Sequence, residues 1–171
     1  PEHSIGKVQQ WHGNAGAVVR CWAFYRRYGR DLRTMSEHAV LNANYIQARL
    51  KSVMTAPFEG YCMHEALFSD AFTAEGIETI DIAKALIDEG YHPMTMYFPL
   101  VVHGAMLVEP TETESKAALD QFILALRSVA ERAIAGDETL KAAPYYAPRQ
   151  RLDETQAARK PVLAWNDANL T

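Results

Sequence analysis

The histidines are the side chains in this sequence best suited to hold a metal ion, and there are six of them. Zinc sites in proteins use cysteines or histidines paired a few residues apart, or two histidines one helical turn apart. Neither spacing occurs here, and neither cysteine lies in a Cys-x-x-Cys motif. The sequence therefore predicts no native metal site. The histidines are His3, His12, His38, His64, His92 and His103.

His64 and Glu65 are adjacent candidates for acid–base chemistry. They fall in residues 61–69, which the pattern predicts to be a strand, so their side chains should point to opposite faces. One of the two should then be buried, and a buried imidazole or carboxylate needs a polar partner. We favour a partner within the protein for the buried side chain. A substrate as its partner is the alternative, and both stay open.

The turn from Gly13 to Gly16 comes directly before a predicted helix. Free backbone N–H groups at a helix start can bind an anion. Asn14 can instead act as an ordinary N-cap, and this second interpretation is favoured.

Five arginines lie in and after the same predicted helix. They could bind phosphate or an acidic partner surface, but a solvated, ion-paired helix face is the favoured interpretation. They are Arg20, Arg26, Arg27, Arg30 and Arg33.

Two common enzyme signatures are missing from the sequence. The G-x-S-x-G turn of a hydrolase nucleophile does not occur. The G-x-G-x-x-G fingerprint of dinucleotide-binding folds does not occur either, and Gly13–Gly16 follows no convincing strand.

The first half of the chain predicts two helices. Residues 15–28 are apolar around most of the helix circumference, which is typical of a buried helix, and Gly29 should end it. Asp31 is then a plausible N-cap for a long amphipathic helix that runs to about Ser52.

The second half predicts two more helices. Thr79 is expected to cap a short helix that Gly90 ends. Thr111 and Glu114 have the spacing of a capping box, so Thr111 is expected to cap a helix that ends at Gly136. The negative charge of Glu112 in the first turn would then interact favourably with the helix dipole.

Three segments predict strands, namely residues 61–69, 94–98 and 105–108. Since each helix has one apolar stripe, the helices should cover one face of a small, mostly antiparallel sheet. The predicted fold class is therefore α+β.

Residues 1–142 are predicted to form one domain, and residues 143–171 an extended tail with no helical or strand period. The chain begins at Pro1 rather than methionine, which indicates a fragment of a longer protein. Five apolar side chains predict that the tail packs on a surface. They are Tyr145, Tyr146, Val162, Leu163 and Trp165.

The composition suits a single globular domain: 171 residues, of which 49% are hydrophobic. A net charge of −4 gives no reason to expect nucleic acid or an anionic membrane as a partner. No apolar stretch is long enough to span a membrane, and no signal peptide is visible, so we expect a cytoplasmic protein. Cys21 and Cys62 are expected to be buried thiols.

A series of phrases, in order along almost the whole chain, resembles the C-terminal part of glycine dehydrogenase (decarboxylating), the P-protein of the glycine cleavage system. The last phrases resemble subunit 2 of the two-subunit prokaryotic form. The phrases include Ala39-Val40-Leu41-Asn42-Ala43-Asn44-Tyr45, Met63-His64-Glu65, Gly90-Tyr91-His92-Pro93, Tyr97-Phe98-Pro99-Leu100, Val108-Glu109-Pro110-Thr111-Glu112-Thr113-Glu114-Ser115-Lys116 and Ala158-Arg159-Lys160-Pro161-Val162-Leu163.

The resemblance implies the small C-terminal domain of a fold-type-I enzyme that uses pyridoxal phosphate to decarboxylate glycine. The family's cofactor lysine lies in a His-Lys-Thr phrase, and no such phrase occurs in this sequence. The resemblance therefore implies that this chain holds no catalytic residue, binds no cofactor and is inactive alone. Its family-like candidates for the wall of the active site are Asn14, His64 and Thr95.

The partners implied by the resemblance are subunit 1, glycine and the lipoylated H-protein, in a full enzyme that is a heterotetramer. A non-enzymatic module for dimerisation or H-protein docking is the alternative. A third alternative is the equivalent domain of another fold-type-I decarboxylase or desulfurase. The phrase at residues 109–116 argues against it.

Overall fold

A computed structural model describes residues 2–6 and 13–164 of the chain. Most of residues 1–13, whose glycines and alternating apolar residues predict a loop or short extended arm, lies outside these residues, and so does Trp165 of the predicted tail. None of the helices described has the length and apolar character needed to cross a membrane.

Four long helices and one short helix form in the described residues. The predictions of the four long helices are confirmed, whereas the short one, within the predicted tail, was not predicted. The helices are α1 (Ala15–Tyr28), α2 (Leu32–Leu50), α3 (Thr79–Asp88), α4 (Lys116–Ile134) and α5 (Glu154–Arg159), with 3-10 turns at Gly29–Asp31 and Glu138–Ala142.

The sheet has three short strands, β1 (Ala66–Phe68), β2 (Thr95–Met96) and β3 (Met106–Val108). Their order is β1-β3-β2, and both pairings are antiparallel. The prediction of a strand over residues 61–69 is too long, because β1 pairs in register with a β3 of only three residues.

One face of the sheet belongs to the core. Phe68 and Met106 are paired on this face and fully buried. Helices α2 and α3 contact the sheet, and α4 packs against both of them. Leu67 and Leu107, which alternate with the buried residues, point to the opposite face and are only partly buried. The predicted α+β class is confirmed.

Helix α1 forms as predicted, with Asn14 as its N-cap, but none of its residues is buried. The prediction of a buried helix is therefore wrong within this chain. Cys21 is exposed and Cys62 only partly buried, so the expectation of two buried thiols is wrong as well. An apolar pattern indicates that a helix is covered, but it does not say by what.

Helix α3 begins one residue earlier than predicted. Glu78, not Thr79, is the N-cap, in a capping box with Asp81. The Thr79 hydroxyl instead donates a buried hydrogen bond of 2.7 Å to the carbonyl of Gly104. The threonine thus ties α3 to the loop before β3.

The N-cap of α4 is Ser115 and not Thr111, because the Ser115 hydroxyl accepts a hydrogen bond from the Ala118 N–H. Thr111 lies in a turn before the helix, where its carbonyl accepts from the Glu114 N–H. Glu112 therefore lies outside the first turn of α4, contrary to the prediction.

We predict that Ser115→Ala lowers the free energy of unfolding by about 1 kcal/mol, the usual effect of removing an N-cap hydroxyl. Urea denaturation followed by circular dichroism measures it. Thr111→Ala is the matched control. If the threonine variant lost as much stability as the serine variant, the assignment of the cap would be wrong.

The first part of the predicted tail is attached to the body. Pro144 is fully buried, and the backbone N–H groups of Tyr145 and Tyr146 donate to the Asp88 carboxylate. By contrast, the Val162 and Leu163 side chains are largely exposed. Burial of Pro144 and polar contacts to the backbone therefore hold the first part of the tail on the body.

Candidate functional site

Two glutamates, Glu65 and Glu109, lie side by side just beyond the ends of β1 and β3. Ala66, the first residue of β1, pairs with Val108, the last residue of β3. Because the strands are antiparallel, Glu65 and Glu109 continue this pairing just beyond the last ladder position. His64 precedes Glu65 and reaches towards both carboxylates.

The three side chains form a loose, half-exposed cluster. The His64 Nε2 atom lies 4.0 Å from Glu65 Oε1 and 3.9 Å from Glu109 Oε1. These distances exceed hydrogen-bond length. The cluster carries net negative charge whether or not the imidazole is protonated, so it favours an amine or a basic side chain over a carboxylate.

The prediction that His64 and Glu65 face opposite sides, with one of them buried, is wrong. Both side chains remain partly exposed, at 52% and 38%. The reason is that β1 begins only at Ala66. Strict alternation therefore does not apply to the two preceding residues.

Two hollows flank Leu107, and the second also reaches side chains of α2 and α4 on the core side of the sheet. The first, of about 360 Å³, is lined by Glu65, Leu67 and several apolar side chains. The second, of about 500 Å³, is lined by Thr95, Glu109 and residues of α4. Glu65 thus lines the first hollow and Glu109 the second, whereas His64 lies beside both glutamates and lines neither hollow. The apolar side chains of the first hollow are Phe58, Tyr61, Met63, Phe98 and Pro99.

Of the three predicted wall residues, Thr95 lines the second hollow, and His64 lies beside Glu65 and Glu109 without lining either hollow. Thr95 is exposed and pairs with Leu107. Asn14 lines neither hollow; its side chain accepts a hydrogen bond from Ala17 N–H and caps α1. The structure of this chain thus brings two of the three towards one surface.

Tyr97 directly follows β2 and has a left-handed backbone with φ of 60°. Such a conformation is unusual for a bulky residue and is found most often at functional sites. Burial raises the pKa of its phenol, and the nearby acidic groups, chiefly Glu78, add to this. The phenol is therefore uncharged at neutral pH, and the residues that follow form an exposed apolar loop with Phe98, Leu100 and Val101.

Cys62 also lines the first hollow. Partial burial raises the pKa of its thiol, which disfavours the reactive thiolate. Its backbone is held on both sides by Asn44, whose side chain accepts from the Cys62 N–H and donates to the Cys62 carbonyl. Cys62 therefore has the contacts of a structural residue rather than a nucleophile.

His64, Glu65 and Glu109 are ligand types that zinc accepts, and one ligand atom from each lies within 4.8 Å of the others. The sequence spacing did not reveal this group, because Glu109 comes from another strand. All three side chains are at least one third exposed, and exposed ion-paired groups of this kind are common without a metal.

A cofactor held as an imine requires a lysine amine at the site. No described lysine lines either hollow. Lys84, Lys116 and Lys141 instead pair with carboxylates, while Lys51 lines a separate hollow beside α2. The residues present here therefore do not fit a lysine-bound cofactor.

Comparison with known proteins identifies the family. Residues 35–145 match the family model described as glycine dehydrogenase, C-terminal domain. The chain belongs to the glycine dehydrogenase family. The resemblance found in the sequence phrases is thus confirmed.

Relatives named probable glycine dehydrogenase (decarboxylating) subunit 2 align with almost the whole chain. The protein of Caulobacter vibrioides is 61% identical over 166 residues, which are 95% of this chain and 32% of the relative. That of Halalkalibacterium halodurans is 47% identical, over 95% of this chain and 34% of the relative. That of Thermotoga petrophila is 42% identical, over 96% and 35%. The chain therefore spans about a third of the length of these glycine dehydrogenase subunits.

Glu109 is the residue of the cluster that sequence reasoning missed. The signal was available, since two antiparallel strands place the residue before one next to the residue after the other. The predicted strand at residues 61–69 was too long for that neighbour to be assigned.

Proposed function

We propose that this chain is the C-terminal domain of subunit 2 of a decarboxylating glycine dehydrogenase, and that its outer sheet face forms part of the active-site wall. The family match supports the first part. The observation that carries the second is the cluster of His64, Glu65 and Glu109, in which Glu65 lines one hollow and Glu109 the other.

The whole enzyme would have the fold-type-I architecture and use pyridoxal phosphate, which supplies an electron sink when glycine loses carbon dioxide. The cofactor lysine would lie outside this chain. The aminomethyl group would pass to the lipoyl arm of the H-protein, and subunit 1 would complete a heterotetramer. The two free thiols suit the reducing cytoplasm.

Within this proposal the described residues act by shape and charge. The cluster of His64 and two glutamates carries net negative charge, so it would repel the carboxylate of glycine and attract an amine or a basic side chain. Thr95 and Leu107 would form the floor between the hollows. The chain alone, without the cofactor lysine, would not decarboxylate glycine.

The test uses a chimera in which this chain replaces the matching region of the Caulobacter relative. With pyridoxal phosphate, subunit 1 and lipoylated H-protein, the chimera should release carbon dioxide from carboxyl-labelled glycine, and this chain alone should not. Release by the chain alone would refute the proposal. A borohydride-reducible imine on one of its own lysines would refute it too.

In the same chimera, His64→Ala should lower kcat/KM by about 10-fold or more, equivalent to about 1.4 kcal/mol of transition-state stabilisation. His38→Ala is the control, because His38 is exposed on α2 and does not belong to the cluster of His64, Glu65 and Glu109. Equal activities of the two variants would show that His64 does not contribute to the active-site wall.

A non-enzymatic docking module is the second candidate, and the exposed apolar loop of Phe98, Leu100 and Val101 favours it. Light scattering of this chain with and without lipoylated H-protein separates the two functions. A stable complex formed without the rest of the subunit would support docking.

A further inference from the structure

Helix α1 carries two apolar stripes that no described part of the chain covers. Val18, Trp22 and Tyr25 recur with helical spacing along the first stripe, together with Val19. Trp22 is 64% exposed and Val18 is 65% exposed. Side chains of this size are seldom left in water along a whole helix face.

The second stripe lies beside the first, about 90° further round the helix. Phe24 and Tyr28 contact each other with ring centroids 4.7 Å apart, and Cys21 lies beside them. Arg20 and Arg27 lie on the polar side of the helix, and Arg26 lies between Trp22 and Val19. Counted at 100° per residue, the apolar surface runs without interruption from Phe24 to Trp22 over about 160°.

The position of α1 along the chain indicates what covers it. The match to the C-terminal domain begins at residue 35, within α2, so α1 precedes that domain. The relatives align through this region, and two thirds of their length lies outside it. Because the matched domain is C-terminal by its description, α1 lies on the side of the chain nearest the remaining polypeptide of the relatives.

We propose that α1 is a docking helix that inserts into an apolar groove formed by the other two thirds of the subunit 2 polypeptide. A second copy of this chain fits less well, because a helix pair covers one stripe and would leave the other exposed. A groove covers both stripes and leaves the sector of Arg20 and Arg27 in solvent.

Cys21 provides a direct probe, since its side chain is exposed here and lies on the second stripe. The measurement is the rate of alkylation at Cys21, followed by peptide mass spectrometry, in this chain alone and in the chimera with the Caulobacter relative. We expect at least a 10-fold slower reaction in the chimera. An unchanged rate would overturn the proposal.

The protein concentration dependence of alkylation distinguishes self-association of this chain from docking of α1 in the groove. If α1 docks on the remaining polypeptide, alkylation of Cys21 in this chain alone should not depend on protein concentration. Slower alkylation at high concentration, with a dimer in light scattering, would overturn the proposal in favour of self-association.

A matched pair of variants tests which side of α1 makes the contact. Trp22→Ala and Arg20→Ala both introduce the best helix former, so neither should disturb the helix itself. In a mixture of this chain with the remaining two thirds of the Caulobacter relative, Trp22→Ala should weaken binding about 30-fold or more, as for a buried aromatic anchor. Arg20→Ala should change it less than about 3-fold, as for an exposed interface charge.

Equal effects of the two variants would overturn the assignment of the apolar stripes. If the remaining two thirds of the Caulobacter relative does not fold by itself, the chimera provides the test. In the chimera, Trp22→Ala should raise the alkylation rate at Cys21, and Arg20→Ala should not. None of these measurements uses glycine. The docking proposal can therefore fail while the proposed enzymatic function stands, and the reverse is also possible.

Discussion

Arg151→Met should lower the free energy of unfolding by about 2 to 3 kcal/mol, because it removes one partner of a largely buried ion pair. The Arg151 guanidinium lies 2.8 Å from Asp81 Oδ1, and the Asp81 side chain is only 6% exposed. The same guanidinium donates to the carbonyls of Ala143 and Leu140, at 2.6 Å and 3.0 Å. Methionine preserves the length of the side chain and leaves all three acceptors without this donor.

The Arg151 side chain is one third exposed, and for this reason the expected loss is below that of a fully buried pair. Arg149→Met is the matched control, since Arg149 is exposed two residues earlier. Urea denaturation of both variants measures the difference. An equal, small effect of the two substitutions would show that the contact does not hold the tail on the body.

Gly104→Ala should lower the free energy of unfolding by about 3 kcal/mol, from a steric and a backbone contribution. A Cβ atom at this position would lie only 1.9 Å from Asp70 Cγ, and the backbone φ is 56°. Asp70 would have to turn away, which breaks its 3.0 Å contact with His103 Nδ1. The shift would also strain the buried hydrogen bond from Thr79 to the Gly104 carbonyl.

Two further variants separate these contributions. Gly60 also has a positive φ, but an added Cβ atom there meets nothing within 4 Å. Gly60→Ala should therefore cost only the backbone contribution, about 1 kcal/mol. Adding Asp70→Gly to Gly104→Ala should recover part of the loss. Thermal unfolding of the four proteins decides the matter, and equal losses in Gly60→Ala and Gly104→Ala would contradict the steric explanation.

The helices of the body could be predicted from the sequence because their apolar residues recur at helical spacing. Their first residues were harder to predict. Thr79, Thr111 and Ser115 can all act as N-caps by residue type, and only tertiary contacts decide between them. Thr79 is used to bind Gly104, so Glu78 takes the cap.

The candidate site could be predicted only in part. His64 and Thr95 were found by resemblance. Thr95 lines the second hollow, and His64 lies beside Glu65 and Glu109. The contribution of Glu109 depends on the exact end of a three-residue strand, which a single sequence does not reveal. The exposure of α1 could not be predicted either, since an apolar helix pattern is the same whether this chain or another segment covers it.

The strand order has a consequence for how the protein is made. β3 is the central strand, yet it is the last of the three to be synthesised, and Ala66 pairs with Val108. On a ribosome, β1 and β2 must therefore wait without hydrogen-bonding partners until the chain has been extended past residue 108. With strands of two or three residues, each unpaired segment offers only a short edge for wrong pairing with a neighbouring nascent chain.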